Sequence, residues 1–255
     1  MKGKLLLGPL FLLCTPTLLT IAEPAPSLQK VTFPSGGDTA TAYLALPTGS
    51  GRHPAIVVIQ EWWGVNDWVR EQAQQFANEG YVALAVDLYR GRIATDAEMA
   101  HELMRGLPQD RGVRDLTSAV AWLKKRPDVD PARIGAIGWC MGGGYAAQLA
   151  IAAPSLKAVS INYGSLPTDK SALEHIHAAV LGNFGGQDRG ITPDDVHAFQ
   201  SAMESLGKHP DLKIYPDAGH AFENPNNTGG YRAADAEDAQ TRSHRFLAEH
   251  LHPRQ

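Results

Sequence analysis

Arg133-Ile134-Gly135-Ala136-Ile137-Gly138-Trp139-Cys140-Met141-Gly142-Gly143-Gly144-Tyr145-Ala146-Ala147 runs from a short apolar stretch through a glycine cluster into an alanine-rich segment. That order predicts a buried strand, a tight turn and a helix, with one cysteine delivered at the turn. A nucleophile held on such a strained turn brings its backbone close to its neighbours, so the positions two before and two after it must be small. Gly138 and Gly142 occupy them. The helix aims its first free N–H groups at the space over the sulfur, where an oxyanion would develop or a thiol be ionised. Two blander readings compete, an inert buried cysteine and a phosphate cradle. The cradle is disfavoured because no Gly-Lys-Ser/Thr follows the glycines and the spacing is not G-x-G-x-x-G.

With 255 residues, 44% hydrophobic, 20% charged and 25 glycines, the chain has the make-up of an ordinary globular protein of one large α/β domain. Its start reads differently. Lys2 and Lys4 precede the apolar run Leu5 to Leu13, and Thr20-Ile21-Ala22 supplies small residues for a signal peptidase. Residues 1–22 are therefore expected to be a secretory signal peptide, leaving residues 23–255 as a single domain that is periplasmic or secreted. Pro9 and Pro16 interrupt a run already too short to span a bilayer, so no stable membrane insertion is expected after cleavage. Loss of the leader removes Cys14 and leaves Cys140 without an intramolecular partner, either reactive or paired between molecules. It also takes the formal charge from −4 to −6 by removing Lys2 and Lys4, which disfavours nucleic acid as a partner.

Beyond the leader, short apolar runs alternate with amphipathic stretches, the pattern of an α/β fold with a mainly parallel central sheet flanked by helices on both faces. A hairpin is expected around Ser35-Gly36-Gly37-Asp38, between Lys30 to Phe33 and Thr39 to Leu46. Buried strands are expected at Pro54 to Ile59, Tyr81 to Val86, Arg133 to Trp139, Lys157 to Asn162, Ala178 to Phe184 and Asp211 to Tyr215. Helical spacing links Val113, Leu116, Val120 and Leu123, and again Val196, Phe199, Met203 and Leu206. Thr192, Pro193 and Asp195 read as the N-cap, first residue and N3 of the latter helix, and Gly207 as its end. A last helix is expected from Tyr231 to His250.

Ligands of open α/β sheets bind at the carboxyl ends of the strands. Cys140 stands at one such end, Asp188 follows the strand ending at Phe184, and His220 follows the strand ending at Tyr215. Asp188 lies 48 residues after Cys140 and His220 lies 32 after Asp188, room for about one βα unit each. Nucleophile, acid, histidine is also the chain order of α/β-hydrolases. A fourth strand runs into Glu61-Trp62-Trp63-Gly64, where that fold takes its second oxyanion N–H donor. Glu61 is either an acceptor of backbone N–H groups or a residue facing the nucleophile. Tyr89-Arg90-Gly91-Arg92 follows the strand ending near Asp87, as a substrate-carboxylate site or as a solvated loop. His175-x-His177 is the nearest approach to a ligand pair and reads as a solvated helix; neither a metal nor an organic cofactor is expected.

Five motifs in order, Gln60-Glu61-Trp62-Trp63-Gly64-Val65-Asn66, Asp87-Leu88-Tyr89, Gly138-Trp139-Cys140-Met141-Gly142-Gly143, Gly186-Gln187-Asp188 and Ala218-Gly219-His220-Ala221-Phe222, resemble the dienelactone hydrolase (carboxymethylenebutenolidase) family of α/β-hydrolases. The resemblance implies Cys140 as nucleophile, His220 as base, Asp188 as its orienting acid and the Trp62 and Met141 N–H groups as oxyanion hole. Glu61 would hold the resting cysteine and help activate it. Hydrolysis of a small-molecule carboxylic ester or lactone through an acyl-thioester would follow. Where that family clamps a substrate carboxylate with an arginine four residues after the histidine, this chain has Asn224. Gly91 stands at the other clamp position, between Arg90 and Arg92. The alternative function is a ligand-binding or thiol-sensing protein on the same scaffold, which would have no need of Asp188.

Overall fold

The computed structural model describes residues 27–252; the expected leader at residues 1–22, with Cys14, lies outside the described residues. β1 (Leu28–Ser35) and β2 (Asp38–Ala45) form the expected hairpin, turning at Gly36 with φ 63°, a left-handed value suited to glycine. Six further strands follow: β3 (His53–Ile59), β4 (Val82–Asp87), β5 (Val129–Trp139), β6 (Ala158–Asn162), β7 (Ala179–Gly185) and β8 (Asp211–Tyr215). They build one sheet in the order β1-β2-β4-β3-β5-β6-β7-β8. β2 pairs antiparallel with both β1 and β4, and every other pairing is parallel. The carboxyl ends of β3 to β8 therefore share one edge of the sheet, and the chemistry-bearing loops all leave from it.

Among the described residues seven helices cover the sheet: α1 (Asp67–Asn78), α2 (Ala97–Arg105), α3 (Gln109–Lys124), α4 (Met141–Ala152), α5 (Lys170–Leu173), α6 (Pro193–Glu204) and α7 (Ala233–Leu251). Phe76 of α1 and Leu247 of α7 pack with Ile56 and Val58 on one face. Leu116 of α3, Ala147 of α4 and Phe199 of α6 pack with Val57, Ile59 and Phe184 on the other. The α6 cap has the expected form, with the Thr192 side chain and the Asp195 carboxylate bonding each other's backbone N–H groups.

Four boundaries or elements differ from expectation. β5 starts four residues before Arg133, at Val129, because it continues beside His53 across a register shift; Asp130 accepts the Ala132 N–H within the added stretch. The last helix opens at Ala233, Arg232 standing at the cap. The segment carrying His175 and His177 is a turn after the four-residue α5, and both histidines are exposed. Finally, α1 and α2 are not among the helices expected from the sequence; their inward faces mix Trp68, Val69, Phe76 and Leu103 with Gln72, Ala73, Ala77 and Ala100, a less regular stripe than the Leu and Val positions of α3. Among the described residues no helix is long and apolar enough to cross a membrane.

Candidate active site

The β5–α4 turn holds Cys140 at φ 55° and ψ −120°, outside the usual range for a residue with a side chain. A Cβ on Gly138 would run into the Gly142 carbonyl, and one on Gly142 into the carbonyls of Ile59 and Gln60. Glycine is thus required at both positions by backbone approach, as the motif predicts. The Cys140 N–H donates to the Asn162 carbonyl at 3.0 Å, and the Asn162 side chain donates back to the Gly138 carbonyl at 3.2 Å. β6 in this way ties down both flanks of the turn. Met141 opens α4, so its N–H is among the first of the helix, which have no acceptor within it.

Cys140, Asp188 and His220 come together. His220 Nε2 lies 3.1 Å from Cys140 Sγ, and its Nδ1 lies 2.6 Å from Asp188 Oδ2. The other Asp188 oxygen accepts the backbone N–H groups of Gly190 and Ile191 at 2.8 and 3.1 Å, fixing the buried carboxylate in its loop. Burial opposes ionisation of Asp188, but the His220 hydrogen bond and those two N–H groups outweigh it and hold the carboxyl below its ordinary pKa. For His220 burial disfavours the imidazolium, yet hydrogen bonds and charge from Asp188 and Cys140 push its pKa up to about 10. An imidazole flanked this way can hold a proton beside the sulfur and pass it on.

Glu61 is 2% exposed and lies in the wall of the same cavity. Its oxygens accept from Asn224 Nδ2 at 2.6 Å and Tyr163 Oη at 3.4 Å. Burial raises its pKa to about 7, against the opposing pull of Asn224, His220 and Tyr163. The expectation that Glu61 holds the resting cysteine is corrected: its partners are an amide and a phenol, and the sulfur is held by His220. Trp62 follows on the cavity wall with Trp63, their rings edge to face at 5.0 Å. The cavity, of about 790 Å³, is further lined by Ala94, Met104, Asn226 and Thr228.

Tyr89, Arg90 and Arg92 are placed elsewhere. Tyr89 is buried and its hydroxyl donates to Met141 Sδ at 3.2 Å, behind the turn. Arg90 pairs with Asp38 and the buried Asp115, each at 3.0 Å, and donates to the Thr39 carbonyl. Arg92 pairs at the surface with Glu102 at 3.3 Å. None of the three lines the cavity, which corrects their reading as substrate contacts. Their loop instead braces the Trp62 loop: the Ala94 N–H donates to the Trp63 carbonyl at 2.9 Å, and Gly64 packs against the Arg92 carbonyl.

Three residues at the site carried no decisive sequence signal. Tyr163 stands at φ 37° after β6, its ring edge against His220 at 5.4 Å. Asn227 donates to the carbonyls of His220 and Ala221, both at 3.1 Å, cinching the histidine loop. Buried Glu223 accepts the Trp139 indole N–H at 3.1 Å and so bridges the residue before the cysteine to the loop of the histidine. His175 and His177 gain no third ligand, and among the described residues no group of three or more His, Cys, Asp or Glu could hold a metal ion.

A model of the dienelactone hydrolase family matches residues 40–251. A protein of Methylorubrum extorquens named "Putative carboxymethylenebutenolidase" is 34% identical over 239 residues, covering 88% of this chain and 82% of that one. One of Salmonella typhimurium with the same name is 33% identical over 250 residues, covering 92% of each. Among solved structures, the dienelactone hydrolase of Anabaena variabilis is similar with a TM-score of 0.66 at 25% identity, covering 89% of this chain and 100% of that one. A dienelactone hydrolase-like promiscuous phosphotriesterase from metagenomic libraries shares the fold at TM-score 0.82 and 24% identity, covering 89% of this chain and 100% of that one.

Proposed function

The chain belongs to the dienelactone hydrolase family, and from that premise we propose that it is a cysteine-dependent hydrolase of carboxylic esters or lactones working through an acyl-thioester. The observation that carries this reading is the unbroken line Cys140 Sγ, His220, Asp188, with contacts of 3.1 and 2.6 Å. In the first half-reaction the Cys140 thiolate attacks the acyl carbonyl, forming a carbon–sulfur bond and an oxyanion. The role of stabilising that oxygen falls, in this reading, to the backbone N–H groups of Trp62 and Met141. Collapse expels the alkoxide, which takes a proton from the His220 imidazolium. In the second, His220 removes a proton from water as the water attacks the thioester; collapse releases the acid and restores Cys140. Asp188 stabilises the imidazolium and holds the ring in its tautomer throughout. The leader read in residues 1–22 adds that the enzyme meets its substrate in the periplasm or outside the cell.

The reading is tested with p-nitrophenyl butyrate. Cys140→Ala is expected to lower kcat by about 10³-fold or more, with circular dichroism unchanged. Activity in that variant equal to wild type would remove the sulfur from the mechanism.

A further inference from the structure

The cavity around Cys140 contains no Lys or Arg side chain among the described residues that line it. The two arginines that follow β4 are committed elsewhere, Arg90 to Asp38 and Asp115 and Arg92 to Glu102. The remaining cationic group is His220, whose charge is already met by Asp188 at 2.6 Å and by Cys140 at 3.1 Å. On the other side of the ledger stands Glu61, a carboxyl in the cavity wall. It is kept there by Asn224, whose amide is fully engaged: Oδ1 accepts the Asn226 N–H at 2.9 Å, which turns Nδ2 towards Glu61 at 2.6 Å. Asn224 thus holds the carboxyl with a strong hydrogen bond while bringing no charge of its own. The rest of the wall is uncharged: Trp62 stands edge-on to Trp63 and against His101 at 4.7 Å with Met104 and Ala94 on the apolar side, and Asn66, Thr95, Asn226, Asn227 and Thr228 supply neutral polar groups.

We propose that this site is built for uncharged esters or lactones with apolar groups, and that Asn224 sets the preference by holding Glu61 in the wall where a substrate carboxylate would need a cation. The proposal rests on the hydrolase reading above and narrows its substrate class. A carboxylate entering this cavity loses water, finds no guanidinium or ammonium to pair with, and faces the carboxyl of Glu61 at short range. An acyl chain of the same length without the charge loses nothing by the same transfer and gains contact with Trp62 and Met104. The names of the relatives point to carboxylate-bearing lactones, so this chain would have kept the hydrolytic parts while exchanging the anion site for a neutral one.

The test compares p-nitrophenyl butyrate with mono-p-nitrophenyl succinate, acyl groups of equal carbon number that differ in a terminal carboxylate. At pH 8, above the Glu61 pKa of about 7, the wall carries its charge. Wild type is expected to favour butyrate in kcat/KM by about 100-fold, the scale of a desolvated like-charge encounter. Asn224→Arg, which supplies the missing cation, should shrink that ratio by about tenfold or more, chiefly through a lower KM for the succinate ester. Glu61→Gln, which removes the charge without adding one, should also shrink it, and this keeps the test decisive if the arginine variant does not fold. Equal turnover of the two esters by wild type, or a preference for the succinate, overturns the neutral-substrate proposal and leaves the hydrolase reading standing. An unchanged ratio in both variants overturns the role given to Asn224. If wild type hydrolyses neither ester, the hydrolase reading itself fails and the proposal falls with it.

Discussion

Cys140 is held at φ 55°, a conformation that costs a residue with a side chain about 1–3 kcal/mol and persists because Gly138, Gly142 and Asn162 leave the backbone no other course. The strain turns the sulfur towards His220. Two buried carboxyls stand within the same neighbourhood, Glu61 and Glu223, and the charge of Glu61 adds to the cost of ionising Glu223. Burial and the nearby Glu61 push the Glu223 pKa from 4.5 to about 8, opposed by the Trp139 hydrogen bond. Its folded pKa lies above its unfolded one, so its contribution to stability is fully present below about 4.5 and is lost as pH rises through about 8. The fall in Tm between pH 5 and pH 8 should therefore be smaller in Glu223→Gln than in wild type, as read by scanning calorimetry; Gln keeps an acceptor for Trp139. An identical fall in both proteins would mean that Glu223 ionises freely in the folded state.

At the level of elements, β5 and α4 were legible because two constraints coincide on the same residues, apolar runs for the strand and small residues for the turn. The loops after β7 and β8 could be placed because each follows a short apolar strand and carries one chemically distinctive side chain, Asp188 or His220. Arg90 was harder to read: its partners Asp38 and Asp115 lie 52 and 25 residues away, on the hairpin and on α3, and no local pattern announces them. The tie between Glu223 and Trp139 spans 84 residues and is silent in the sequence for the same reason. α6 is the clearest case of local coding, with Thr192 accepting the Asp195 N–H at 3.3 Å and Asp195 returning the bond to the Thr192 N–H at 2.8 Å. Thr192→Ala should cost about 1 kcal/mol in urea unfolding with an unchanged m-value. A loss near zero would show that Asp195 alone caps the helix.

For the whole molecule, the parallel sheet gathers Cys140, Asp188, His220 and Glu61 from the ends of β5, β7, β8 and β3 at one edge, and the helices on both faces hold that edge rigid. Topology thus explains why residues 80 and 32 positions apart, Cys140 with His220 and Asp188 with His220, meet within hydrogen-bonding distance. It does not encode what the cavity excludes, which depends on Asn224 and on where the arginines found their partners. The central claim is that Cys140 carries the acyl group, and intact-mass spectrometry of the protein, acid-quenched during turnover of p-nitrophenyl butyrate, reads it directly. The account predicts a chain that gains one butyryl group, mapped to Cys140, removed by hydroxylamine and absent from Cys140→Ala. Steady turnover by wild type with no adduct at Cys140, matched by equal turnover in Cys140→Ala, would contradict it.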